Sequence, residues 1–151
     1  MNEGIRFRAA KRDDVPAIIA MLADDELGRG RETADDMTPY LAAFDAMEAE
    51  GGNCIIVADE KGVVVGCYQL TFITGLSLRA ARRALIEGVR VAASHRGRRL
   101  GEAMMADAET RAKEAGCRLI QLTTNKTRID AHRFYDRLGF SASHIGYKKT
   151  L

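Results

Sequence analysis

The chain has 151 residues and a mass of 16.6 kDa, the size of one domain with room for a substantial core. Hydrophobic residues make up 46% and charged residues 29%, which sets aside a disordered, collagen-like or disulfide-framework chain. With 23 basic against 21 acidic residues the formal charge is only +2, which argues against a general polyanion binder.

Ile5, Phe7 and Ala9 alternate with Arg6 and Arg8, the period of a half-buried strand. Asp13 or Asp14 offers a cap for a helix with Pro16 in its first turn and Val15, Ile18, Ile19 and Leu22 on one face. A polar stretch from Asp24 to Met37 reads as a loop or partly helical connection. Thr38-Pro39 restarts a helix striped by Leu41, Phe44 and Met47, and Gly51-Gly52 stops it. Asn53 to Asp59 and Gly62 to Phe72 are strand-like runs separated by Glu60 and Lys61, a hairpin pattern. The stretch from Gly75 to Arg83 carries no clear signal.

Ala84 to Val91 reads as a strand, followed by an Arg- and Gly-rich loop from Ala93 to Arg99. A helix is expected from about Leu100 to Ala115, with Leu100, Met104, Ala108, Ala112 and Ala115 on its inner face. Asp107–Arg111 and Glu109–Lys113 would pair on its outer surface. Cys117 to Thr123 reads as a strand, Asp130 caps a short helix ending at Leu138-Gly139, and Phe140 to Leu151 as a terminal strand or strand pair. The expected order is β-α-α-β-β-β-α-β-α-β, a single α/β domain over residues 1–151.

Cys54, Cys67 and Cys117 are odd in number, form no C-x-x-C pair and lie in apolar stretches, so they read as reduced core residues. No apolar h-region opens the chain, and no run approaches the roughly 18 apolar residues of a membrane span. A cytoplasmic protein is expected. His95, His132 and His144 are too scattered for a metal site, so no metal is expected.

The segment Val89 to Gly101 holds the most chemistry. A strand feeds a Gly-containing turn that opens a helix, whose first amides lack intrahelical partners and lie at the positive end of the helix dipole. Such a turn suits a phosphate or pyrophosphate. Neither G-x-x-x-x-G-K-[ST] nor G-x-G-x-x-G is present. Arg96-Gly97-Arg98-Arg99-Leu100-Gly101 resembles the acyl-CoA-binding motif of the GNAT superfamily, the Gcn5-related N-acetyltransferases. Arg99 stands where the motif's first glycine is usual. Asn125, Ala131, Phe134-Tyr135 and Gly139-Phe140 resemble that family's late element at matching order and spacing.

The resemblance implies a central mixed, mostly antiparallel sheet flanked by helices, and an N-acetyltransferase using acetyl-CoA as co-substrate. In the family, the strand before the phosphate loop splays from its neighbour. Val89, Arg90 and Val91 would then meet the pantetheine through backbone groups, Arg96, Gly97, Arg98, Arg99, Leu100 and Gly101 would hold the pyrophosphate, and Asn125 would touch the cofactor arm. Asn125 also reads as an ordinary strand-end turn former. Tyr135 matches the family tyrosine proposed to protonate the leaving thiolate, the lesser alternative being an aromatic packed with Phe134 against the sheet.

Glu87 is the candidate general base, direct or through water, or else a structural or substrate-orienting carboxylate. Alternation places it on the face of Val89 and Val91. Asp24, Asp25 and Glu26 fall where family members often build the acceptor pocket and could attract a cationic amine, but a solvated loop is the stronger reading. The expected partner is a small-molecule or peptide amine, with no nucleic acid and no membrane, and exposed strand edges are compatible with a homodimer. Competing readings are a non-catalytic acyl-CoA sensor and a nucleic-acid module built on the seven arginines between Arg79 and Arg99.

Overall fold

The computed structural model describes residues 2–151. One compact unit runs to Gln121, and a second spans Leu122–Leu151.

In the first unit, β1 (Ile5–Ala9) leads through a short 3-10 turn into α1 (Val15–Ala23) and α2 (Glu26–Arg29). These are followed by α3 (Thr38–Glu50), β2 (Asn53–Glu60), β3 (Val63–Ile73) and β4 (Arg83–Val91). A second 3-10 turn, Ala93–His95, precedes α5 (Leu100–Glu114) and β5 (Leu119–Leu122). The sheet order is β1-β2-β3-β4-β5, with β1 to β4 antiparallel neighbours. The β4–α5–β5 connection is the helical crossover that parallel neighbours require. The sheet is mixed and flanked by helices.

Strand alternation gives the sheet two apolar faces. Val57 and Cys67 pack with Ile18 and Met21 of α1, and behind them Val15 and Ile19 close on Phe44 of α3. On the other face Leu100, Met104, Met105, Ala108 and Ala112 of α5 are buried. A Cβ on Gly66 of β3 would come within 2.9 Å of Met104 Sδ, so helix and sheet approach closely there. The hairpin turns on Lys61 (φ 53°) and Gly62 (φ 90°), the two positive φ values of a type I′ connection.

Two expectations need correction, and an unassigned stretch gains a turn. Asp107 pairs with Arg111 as expected, but the pair is partly buried rather than on an outer surface. Asp107 Oδ2 takes both the Arg111 Nε, at 2.7 Å, and the hydroxyl of fully buried Tyr68 on β3. The unassigned stretch after β3 contains α4 (Ser77–Ala80), a single turn in which Leu78, Arg79 and Ala80 all have positive φ.

The terminal strand is absent among the described residues. In the second unit, which contains α6 (Ile129–Arg137), residues 140–151 form no ladder. Ser143 N–H turns back to the Ser141 carbonyl at 2.9 Å, and Ile145, Tyr147 and Leu151 are exposed. A strand needs a ladder to pair its polar groups, and alternation alone does not supply one.

Candidate functional site

The site is built where β4 ends. Gln69 pairs with Glu87 and Cys67 with Arg90, so one residue of β3 faces two of β4. Gly88, at φ 60°, supplies the left-handed residue that such a bulge needs. The Cys67 thiol points at the Gly88 carbonyl, at 3.8 Å.

This extra residue overturns the simple alternation. Cross-strand partners share a face, so Glu87 and Arg90 lie with Gln69 and Cys67 on the α1 side. Val91 pairs with Gly66 and belongs to the α5 side. Glu87 therefore shares its face with Arg90 rather than Val91, and its side chain is exposed.

Arg90 is largely buried, at 17% exposure. Its Nη2 meets Asp25 Oδ2 at 3.0 Å, and its Nη1 donates to the Val89 carbonyl at 2.9 Å. Its buried Nε meets no acceptor among the described residues. Asp25 is held in turn by α2, whose Gly28 N–H donates to Asp25 Oδ1 in an N-cap. Since Val89 O already receives one donor, a ligand would use its remaining lone pair. The four-residue β5 is anchored at the start of β4, through Arg118 N–H to Arg82 O at 2.8 Å. Its ladder is too short to run the length of the nine-residue β4.

Beyond β4 the chain makes the turn expected from sequence. Gly97 has φ 75° and Arg99, the residue at N-cap of α5, has φ 60° and ψ 21°. No side chain caps α5. The N–H groups of Leu100, Gly101 and Glu102 thus point out of the first turn without a helical acceptor, at the end where an anion is favoured.

Arginines surround this turn, and each already has an internal anion. Arg96 Nη2 reaches Asp24 Oδ2 at 3.1 Å, and Arg99 Nη2 reaches Glu102 at 2.7 Å. Arg98 lies 3.9 Å from Glu60. Glu60 also holds buried His95 through Nε2 at 2.9 Å, and Ser94 Oγ meets the other ring nitrogen at 2.8 Å. His95 thereby fastens the loop to β2. An open depression of about 430 Å³ adjoins the loop, lined by Ala20, Met21, Asp24, Ala92 and Ala93 among others.

Cys54 and Cys67 are poorly suited to act as nucleophiles. Burial pushes the Cys67 thiol up to about 12 and raises that of Cys54, so neither is a thiolate near neutrality. All three cysteines are unpaired by disulfides.

In the second unit Asn125 closes an Asx turn. Its Oδ1 accepts from Thr127 N–H at 3.0 Å and Thr127 Oγ at 2.7 Å, and its carbonyl accepts from Arg128 N–H and faces His132 Nε2, both at 3.0 Å. Asp130 lies in the first turn of α6 rather than at its cap. Tyr135 packs edge-on against Phe134 and Phe140, with centroids 5.1 and 5.8 Å away.

Sequence reasoning missed the Arg90–Asp25 and His95–Glu60 pairs. The signal available for the first was a glycine inside a strand pattern, which marks a bulge.

Comparison with known proteins identifies the family. The Acetyltransferase (GNAT) family profile matches residues 17–140, across both units. Aminoalkylphosphonate N-acetyltransferase of Salmonella typhimurium is 42% identical over 92% of this chain and 84% of its own. Probable glucosamine 6-phosphate N-acetyltransferase of Drosophila melanogaster is 28% identical over 70% of this chain and 48% of its own. A solved structure described as a transcriptional regulator from Bacillus halodurans C-125 is 43% identical. It superposes with a TM-score of 0.93 over 97% of this chain and 99% of its own. A family match over most of the chain, on a sheet whose fourth strand leads into an arginine-lined, uncapped helix start, places this protein in the GNAT family of acetyltransferases.

Proposed function

We propose that this acetyltransferase moves the acetyl group of acetyl-CoA to the primary amine of a small molecule, by direct attack in a ternary complex. The observation that carries the donor assignment is the start of α5. Its uncapped amides follow a turn with Arg96, Arg98 and Arg99, a donor set suited to a pyrophosphate. Val89, Arg90 and Val91 would meet the pantetheine through their backbone, and Asn125 through its amide. The acceptor class is drawn from the relative named for an aminoalkylphosphonate.

In the reaction the amine nitrogen bonds to the thioester carbon, the carbon–sulfur bond breaks, and the thiolate leaves. Tyr135 gives that sulfur its proton. Glu87, exposed on the α1 face, takes the ammonium proton directly or through water. The whole chain acts as one cytoplasmic acyltransferase domain, and a homodimer is compatible with it.

Release of free CoA thiol on mixing acetyl-CoA with 2-aminoethylphosphonate tests this reading, and absence of release with any amine contradicts it. In Tyr135→Phe, kcat should fall at least tenfold with the KM for acetyl-CoA changed less than threefold. Unchanged kcat removes Tyr135 from the step.

The relative described as a transcriptional regulator favours a second reading, nucleic-acid binding through the Arg79–Arg99 region. Its signature would be steeply salt-dependent DNA binding without thiol release.

A further inference from the structure

The bulge in β4 does more than displace one residue. It sets a carboxylate and a guanidinium, Glu87 and Arg90, at neighbouring positions of one sheet face, opposite Gln69 and Cys67. Positions two apart on one strand face lie about 7 Å from each other. Long side chains at that spacing can converge on a small molecule carrying an ammonium and an oxyanion. Without Gly88's left-handed backbone the two groups would face opposite sides of the sheet.

Arg90 is also incompletely matched. A guanidinium binds an oxyanion best through two parallel bonds, and its Nε–Nη2 edge is one such fork. Here Asp25 Oδ2 lies 3.0 Å from Nη2 as an ion pair, without the geometry of a hydrogen bond. Its other oxygen is committed to the α2 cap, and Nε stays buried without an acceptor. An unmatched buried donor is costly and rare. The open depression is lined by Asp24, which precedes Asp25, and by Ala92, two residues after Arg90.

We propose that Arg90 selects the acceptor, binding the oxyanion of a small zwitterionic amine on its Nε–Nη2 edge in exchange for Asp25. The proposal rests on the acetyl-transfer reading and deepens it. Glu87 then faces the amine end of the same molecule, and the recognised class is a primary amine carrying a phosphonate, phosphate ester or carboxylate. Asp25 is a placeholder that neutralises Arg90 between turnovers.

The test compares kcat/KM for 2-aminoethylphosphonate, phosphoethanolamine and β-alanine with that for n-propylamine, a primary amine without an oxyanion. The wild-type protein should prefer at least one oxyanion-bearing amine by more than tenfold, and the preferred one identifies the oxyanion. Arg90→Gln should cut that preference at least tenfold, with Arg90→Lys retaining part of it.

Asp25→Asn should act in the opposite direction. Asparagine still caps α2 but no longer competes as an anion, so KM for the preferred amine should fall about threefold or more. A role confined to folding would lower stability and leave the preference unmoved.

Equal kcat/KM for propylamine and the oxyanion amines overturns the assignment to Arg90 while leaving acetyl transfer standing. An unmoved preference in Arg90→Gln overturns it too. Should that variant fail to fold, an unchanged or raised KM in Asp25→Asn does the same. Thiol release with none of the amines overturns the acetyl-transfer reading and this proposal together.

Discussion

Arg99 holds a backbone conformation that a glycine would hold without strain. At φ 60° and ψ 21° it is left-handed, which for a residue with a Cβ costs on the order of 1 kcal/mol. Its compensation is the exposed i,i+3 pair with Glu102, worth about 0.3 kcal/mol. The conformation gives a physical reason for the glycine usual at this place in the motif. The side chain runs to Glu102 along α5, so the substitution affects backbone strain more than space at the turn. Arg99→Gly should therefore shift Tm by no more than about 1 °C, because the relief of strain is offset by loss of the pair and by about 0.4–1 kcal/mol of added freedom of glycine in the unfolded chain. Calorimetry of the two proteins checks this, and a shift of several degrees in either direction would contradict it.

At the scale of the elements, β1 and β2 are clamped by an arginine between two carboxylates. Arg8 Nε bonds Asp59 Oδ2 at 2.8 Å, and its Nη1 bonds Asp14 Oδ2 at 2.7 Å. Arg8 holds both carboxyls below the usual aspartate range, helped at Asp59 by the Gly62 N–H and at Asp14 by the Lys11 N–H. A carboxyl depressed by folding contributes stability that is fully present above the unfolded aspartate value near 4. That contribution is lost as pH falls through the lower folded value. Tm should stay level from neutrality to about pH 5 and drop below about pH 4, and Asp14→Asn should flatten that acid limb. Identical acid limbs in the two proteins would contradict the clamp.

The sequence carried α5 well, because the apolar spacing of Leu100, Met104, Ala108 and Ala112 matches its buried face, whereas in β1 the alternation holds only in part, with Ile5 and Phe7 half-buried and Ala9 exposed. Glu87 was placed on the wrong face because period-2 reasoning assumes an unbroken strand, and Gly88 breaks it. Asp107 was read as exposed because helix periodicity does not reveal a buried tyrosine arriving from β3.

Across the whole molecule, a net charge of +2 hides a concentration of seven arginines between Arg79 and Arg99. The structure divides that concentration. Arg82 stacks on Phe72 with its guanidinium carbon 5.2 Å from the ring centroid, and Arg83 bonds Gln121 at 3.1 Å. Arg90 faces Asp25, while Arg96, Arg98 and Arg99 border the start of α5. Arg90, Arg96, Arg98 and Arg99 each have a carboxylate within 4 Å. Membership of the GNAT family was legible in the Arg96–Gly101 and Asn125–Phe140 spacings, whereas the acceptor was not, since the bulge and the α1–α2 connection that bear on it meet only in the fold. The central claim is that the turn from Arg96 to Gly101 and the end of β4 together hold the acyl donor. Amide chemical shifts recorded while CoA is titrated into the protein test it most directly. The largest changes are expected at the N–H groups of Gly97 to Glu102 and at Val89 and Val91. Changes confined to the Arg79–Arg83 region, with the first turn of α5 unmoved, would contradict it.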